Sequence, residues 1–435
     1  MTDHPGASGM TPREGCSMSW AGAFDPSSAV LSSPPATALD VDVAATDANR
    51  TGWLWRTSRA MVVAARNLWC LSWLVVLLAV VTAIPLLQIL VLGYLLLVAG
   101  RLANGETFRH SLPGLAAAGK IGVIAASLGI ASLPIRLLVH WESVVAIIEP
   151  NSQTATLLRL VTILVSVLTT VYLWWAWVRG GQLRHFVWPE PIRFFRNAWR
   201  PSLWTDAADS FWRFLVSLRL PMLFWLGLRG AVGTLIWLLP AMLIMIVTRD
   251  GQRAAAGLVG VAALILLGLV LMTLPMLQAH FAAENCLRAI FQWRRVRRDL
   301  AYAPWSYAAA MLLTLVVLPL PLYLLKVEAT PQEITWLPCV VFVAFMLPAR
   351  IATGLALRRC RRLRVEASES GQPSRSRLRE NWDFLSRWGV RLLVVPAIVL
   401  VYLVVLGASQ YTSWDGVDTW VRQHALLVPV PFVGL

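Results

Sequence analysis

The chain has 435 residues, 57 % of them apolar and only 14 % charged, and its 38 Lys and Arg outweigh 23 Asp and Glu for a formal charge of +15. A soluble domain carries about 25 % charged residues, so the composition excludes a soluble multidomain protein, a largely disordered chain, a collagen-like fibre and a disulfide scaffold. What it leaves is an all-α, polytopic helical membrane protein, with about seven transmembrane helices plus an N-terminal apolar helical hairpin and interfacial amphipathic helices.

Residues 1–52 are rich in Ser, Pro, Ala, Gly and Thr without apolar periodicity, and read as a disordered tail. They lack the basic start and apolar run of a signal peptide. Met10 and Met18 are alternative start sites. From Asn67 to Gly100 there is no charge for 34 residues, and Pro85 lies in the middle. Proline removes a backbone donor and clashes with the preceding turn, so the stretch reads as two apolar halves, about 69–84 and 87–100, folded as a hairpin. One long, kinked and tilted helix is the alternative. Later spans are expected at Ile121–Trp141 (interrupted by Pro134 and Arg136), Leu157–Val178, Leu220–Val247, Ala254–Ala283, Pro304–Leu325, Ile334–Leu357 and Leu392–Tyr411, each near the ~20 residues that cross a bilayer. Pro85, Pro134 and Pro275 are the candidate helix breaks. The helical transmembrane domain is then 53–412, with a short tail, 413–435, beyond it.

Arg and Lys collect in cytoplasmic loops. The stretch 179–219 holds seven arginines, 284–303 five and 350–391 eleven, whereas the loops 142–156 and 326–333 and the C-terminal tail are acidic or nearly neutral. The expected topology places the N-terminal region, residues 101–120 and the three basic loops in the cytoplasm and the C-terminus outside the cell membrane. It is self-consistent only if 67–100 enters and leaves on one side. The segments assigned to the cytoplasm hold 31 of the 38 bases and 16 of the 23 acids, so the surplus lies on one face of the membrane. Most of the 22 tryptophans flank apolar runs, among them Trp69, Trp141, Trp174, Trp175 and Trp305, at the headgroup level indole prefers. Two stretches, 191–204 and 206–218, mix aromatics with Arg as interfacial helices do; packing on the protein's own cytoplasmic side is the equal alternative. Arg294, Arg295, Arg297, Arg298, Arg358, Arg359, Arg361 and Arg362 are the candidate contacts to anionic lipid.

Few motifs carry chemistry. Gly114 to Lys120 follows the phosphate-loop spacing as far as the lysine, but Ile121 replaces the required hydroxyl, and a flexible approach to a span explains the segment. No two of the five cysteines form a C-x-x-C pair; Cys360, among four arginines, reads as a thiol in a basic loop. His280 and Glu284 are four residues apart, on one helix face, and form the weak polar-site candidate. Arg136, Arg159 and Arg229 lie near span ends, where long side chains reach the headgroups, and no acid sits at the centre of a span. The basic run Arg358–Arg364 lacks the aromatics of a nucleic-acid surface. No enzyme activity, cofactor, metal or nucleic-acid partner is expected.

Two stretches carry a resemblance. Ile84-Pro85, an apolar run to Gly93-Tyr94-Leu95, then Gly100-Arg101 and Asn104-Gly105-Glu106 form the first. Ala283-Glu284 to Phe291, Arg294–Arg298, Pro304 and Tyr307 form the second. They resemble a family of uncharacterised bacterial multi-pass membrane proteins carrying a domain of unknown function. The resemblance implies a helical integral membrane protein and no established activity. The expected role is thus non-enzymatic, in membrane organisation or assembly or as an accessory subunit of a transport complex, with the bilayer, anionic lipids and other membrane proteins as partners. A transporter or channel for a small or lipid-like solute is the alternative.

The topology has a direct test. Single cysteines replacing Ser370 and Asp415 are expected to label from the cytoplasm and from outside respectively, and cysteines at Ala60 and Asn104 from the same side; the reverse pattern overturns the assignment.

Overall fold

A computed structural model describes residues 53–148, 152–178, 218–248, 254–317, 336–369 and 384–390, with isolated positions in 205–216 and 392–400. The candidate interfacial stretch 191–204 and most of both 206–218 and the expected last span lie outside the described residues. Helix α1 is Trp53–Thr82 and α2 is Gln88–Ala103, with a 3-10 turn at Pro85–Leu87 between them. Then follow α3 (Phe108–Ser111), α4 (Leu115–Ile148), α5 (Gln153–Val178), α6 (Leu220–Thr248), α7 (Ala254–Glu284), α8 (Trp293–Leu300), α9 (Pro304–Leu312, continued by a π turn to Val317) and α10 (Trp336–Glu369). No strand occurs among the described residues. The chain divides after Ala64, within α1, into two units, and the helix bundle is built within the second, from Ala65 onward.

Six of the described helices are long and apolar enough to cross a membrane. Backbone polar groups have no water partner in hydrocarbon, so a spanning segment must satisfy them internally, as a helix does. The exposed side chains agree: Ile130, Leu137 and Ile147 of α4 are 69 %, 65 % and 82 % exposed, an arrangement suited to lipid rather than water. The molecule is an all-α polytopic membrane protein.

The break expected at Pro85 is present, and α1 begins well upstream of the expected half-segment. Arg109, beyond the end of α2, donates from Nη2 to Asn67 Oδ1 at 3.4 Å, which brings the segment after α2 back to the start of the uncharged stretch. Each arm, 67–82 and 88–103, is about 24 Å long at ~1.5 Å per residue. Pro134 and Pro275 instead stand inside the continuous helices α4 and α7. Neighbouring backbone and small local adjustments let an apolar helix carry a proline without ending.

Helix α2 is apolar all round, and a helix of that kind is buried. Val91, Leu95 and Val98 enter one core cluster with Leu271, Phe342 and Met346, while Leu92, Leu96 and Ala99 enter a second with Met276, Phe281 and Leu357. Glycine lets the neighbouring backbones come this close. A Cβ on Gly93 would collide with the Leu223 carbonyl oxygen of α6, and one on Gly227 with that of Ile89. On another side, a Cβ on Gly354 of α10 would lie 2.7 Å from Ala99 O. Tyr94 Oη donates to Pro113 O at 3.0 Å and ties α2 to the start of α4.

The expected basic loop 350–391 begins as helix. Helix α10 runs on to Glu369, so Arg350 lies near its midpoint, and Cys360, read from sequence as a loop thiol, is fully buried. The reason is that the apolar pattern resumes after Arg350 at Ile351–Leu357 and continues on one face through Leu363.

Gly227→Leu is expected to destabilise the protein by about 1–3 kcal/mol or prevent folding, as overpacking does. Gly129→Ala, where a Cβ meets nothing within 4 Å, is expected to be neutral or stabilising by up to about 1 kcal/mol. Thermal unfolding in detergent checks both.

Candidate functional site

Two polar layers interrupt the apolar interior. The first is at mid-bundle. Thr234 of α6 donates to the Gly230 carbonyl at 2.7 Å, and Gln278 of α7 donates from Nε2 to Thr234 Oγ1 at 2.6 Å. The free amide oxygen Oε1 of Gln278 accepts from Arg350 Nη1 of α10. All three residues are buried, with Arg350 only 1 % exposed. Arg350 Nε and Nη2 are buried and have no acceptor among the described residues. An apolar interior does not tolerate this cheaply, because Arg keeps its charge under all ordinary conditions.

The second layer lies towards one end of the bundle. Arg361 is eleven residues beyond Arg350, three helical turns and about 16 Å along the same face of α10. Its Nη2 is 2.6 Å from His280 Nδ1 and 3.6 Å from Glu284 Oε1, and its Nη1 donates to Asn104 Oδ1 at 3.2 Å. The Asn104 amide donates to Ala283 O at 3.0 Å. Arg295 is 3.5 Å from Glu284 Oε1, and Gln292 Oε1 lies 3.3 Å from His280 Nε2. With one ring nitrogen facing a guanidinium, the geometry fits a neutral imidazole that accepts at Nδ1 and donates at Nε2 to Gln292. Nearby, Arg364 bonds the buried Asp299 carboxylate at 2.5 Å. Arg229 donates to Asn285 O at 3.1 Å and to Oδ1 at 2.8 Å. Asn285 ends α7 in a left-handed conformation, φ 51°, which Asn tolerates at a helix terminus.

The structure sets His280 and Glu284 against one guanidinium, that of Arg361, within a layer of Arg and amide groups. Among the described residues no group of three or more His, Cys, Asp or Glu could hold a metal ion. The eight candidate lipid-contact arginines part company. Arg295 and Arg361 turn to Glu284, and Arg362 pairs with Glu366 at 2.6 Å on the surface. Arg294, Arg297, Arg298, Arg358 and Arg359 are exposed. In α8, Val296, Asp299 and Leu300 are buried while Arg294, Arg297 and Arg298 are exposed, and Arg297 lies over the Trp293 ring at 5.3 Å. The helix packs its apolar face on the protein and turns 110° into α9.

Sequence reasoning missed Thr234, Gln278 and Arg350. Arg350 falls where the expected span Ile334–Leu357 overlaps the expected basic stretch 350–391, and the other two are uncharged residues that hydropathy passes over. The available signal was a base inside an apolar run that resumes beyond it.

These features define an integral membrane protein with polar layers between its helices. Residues 219–327 match the family described as "Protein of unknown function (DUF4013)". The match covers less than half of the chain and agrees with the resemblance carried by Ala283–Tyr307, which falls inside it. It includes Thr234, Gln278, His280 and Glu284, and leaves Arg350, Arg361 and Asn104 outside. No curated protein and no solved structure matches the chain.

Arg361→Met is expected to cost about 1–3 kcal/mol, because it takes a charged donor from the fully buried His280, whereas Arg362→Ala, which loses an exposed pair, costs no more than about 0.5 kcal/mol. Paired thermal-unfolding curves in detergent measure the difference.

Proposed function

We propose that this is a non-enzymatic integral protein of the cell membrane that organises anionic lipid, or assembles other membrane proteins, at its basic end. That end faces the cytoplasm, with the N-terminus inside and the C-terminus outside. The single observation that carries the reading is the outward set Arg294, Arg297, Arg298, Arg358 and Arg359, exposed beside the aromatic side chains Trp293, Phe291 and Trp305 (39 %, 41 % and 53 % exposed). Guanidinium groups at headgroup level attract anionic lipid, and half-buried rings anchor at the same depth. Such a surface needs no cofactor and no nucleic acid.

A second reading, a carrier or channel for a small solute, is favoured by the buried row Thr234–Gln278–Arg350. Ionisable groups buried between spanning helices commonly mark solute pathways.

The lipid reading is tested in bilayers of mixed neutral and anionic phospholipid, with retained lipid read by native mass spectrometry. The wild type is expected to retain anionic lipid preferentially and to lose that preference at high salt. The triple variant Arg294→Gln, Arg297→Gln, Arg298→Gln is expected to lower retention at least about tenfold, given about 1 kcal/mol per base at the surface. Equal retention of neutral and anionic lipid by the wild type overturns the reading.

A further inference from the structure

Arg350 is a fully buried cation whose counter-charge the described helices do not supply. In the second polar layer Glu284 is held by Arg295 and Arg361 and Asp299 by Arg364. Gln278, which accepts from it, is neutral. An uncompensated charge in an apolar interior is costly, and Arg cannot escape the cost by losing its proton.

The two free nitrogens are not an arbitrary pair. Nε and Nη2 lie on one edge of the guanidinium plane, their N–H bonds parallel, and that edge receives both oxygens of a carboxylate or phosphate in the side-on bidentate arrangement. Gln278 occupies Nη1 on the opposite side and is itself fixed by Thr234, so the fork is held in orientation. We infer that the Nε–Nη2 edge of Arg350 is a binding site for a small oxyanion, a carboxylate or a phosphate, enclosed between α7 and α10.

Depth and enclosure decide between a free solute and a lipid headgroup. Arg350 lies about 16 Å along α10 from the Arg361 layer at ~1.5 Å per residue, well inside a hydrocarbon core of about 30 Å. A phospholipid phosphate sits at the headgroup level, too far out to reach it. With Arg350 only 1 % exposed and both nitrogens buried, the edge can take only a small occupant. None of the arginines that would organise lipid takes part. The site rests on the solute reading and deepens it by naming the ligand class.

The test uses the full chain, purified in neutral detergent and freed of exchangeable anions. Acetate and inorganic phosphate are titrated separately, with chloride at equal ionic strength as control, and binding is read by calorimetry and by the unfolding temperature. At least one oxyanion is expected to bind and to raise the unfolding temperature, and chloride is not. Arg350→Lys keeps the charge but loses the planar fork, and is expected to weaken binding at least about tenfold. Gln278→Glu places a carboxylate against Arg350; it is expected to raise stability without added anion and to abolish the oxyanion response. That variant keeps the test decisive if changes at Arg350 itself prevent folding. A wild type that responds to neither oxyanion beyond chloride overturns the inference, as does an Arg350→Lys protein that binds like the wild type. Loss of a co-purifying acidic phospholipid in Arg350→Lys, with no response to free anions, overturns the small-solute assignment in favour of a headgroup. Because binding is read without vesicles, failure here is distinct from failure of transport or of lipid retention.

Discussion

The structure depends on how closely backbones approach α2. Helices in lipid gain nothing from hydrophobic association with one another, since the acyl chains are as apolar as Leu, and association rests on van der Waals contact and interhelical hydrogen bonds. Gly93 and Gly227 meet face to face at the α2–α6 crossing, and Gly354 lets α10 lie against Ala99. Sixteen residues of α2 thereby hold α6, α7 and α10 in a single bundle. The polar contacts are consequences of that spacing. Thr234, Gln278 and Arg350 come from α6, α7 and α10 and meet because those three helices pack around one hub.

The two polar layers obey the same rule with opposite results. At the basic end each buried or half-buried charge has a partner: Arg361 with Glu284, His280 and Asn104, and Arg364 with Asp299. A charge-assisted hydrogen bond is worth more in a low-dielectric setting than in water, and a missing one costs more. That layer reads as structural, a clasp joining α2, α7, α8 and α10. The mid-bundle layer lacks the balancing negative charge. Its hydrogen-bonded row stops at a cation with two free donors, and a polar network left incomplete inside a fold is where function is first sought.

Much of the fold was legible in particular residues. The break at Pro85, the spans through α4, α5, α6 and α7, and the placing of His280 and Glu284 on one helix face all follow from short-range patterns. Proline at 134 and 275 misled, because its local penalty is absorbed where an apolar helix is held along its length. Arg350 misled in the opposite direction: near the end of the expected span Ile334–Leu357 a long base reads as one that reaches the headgroups, whereas the helix continues to Glu369 and buries it. The Gly93-Tyr94 pair was visible as a motif, but its physical meaning, contact with Leu223 on one side and a hydrogen bond to Pro113 on the other, needed both partners in place.

The sequence by itself determined that the chain is all-α, that it crosses a membrane several times and that its basic charge is segregated. Those properties come from length, hydropathy and local charge, which add along the chain and require no knowledge of neighbours. Only the tertiary structure decided which arginines face outward and which are held inside. Arg359 and Arg361 are two residues apart, yet one is exposed and the other bonds Asn104 across 257 positions of sequence. Burial and hydrogen-bond pairing are properties of the packed bundle, set by which helix faces meet, and no single segment carries them.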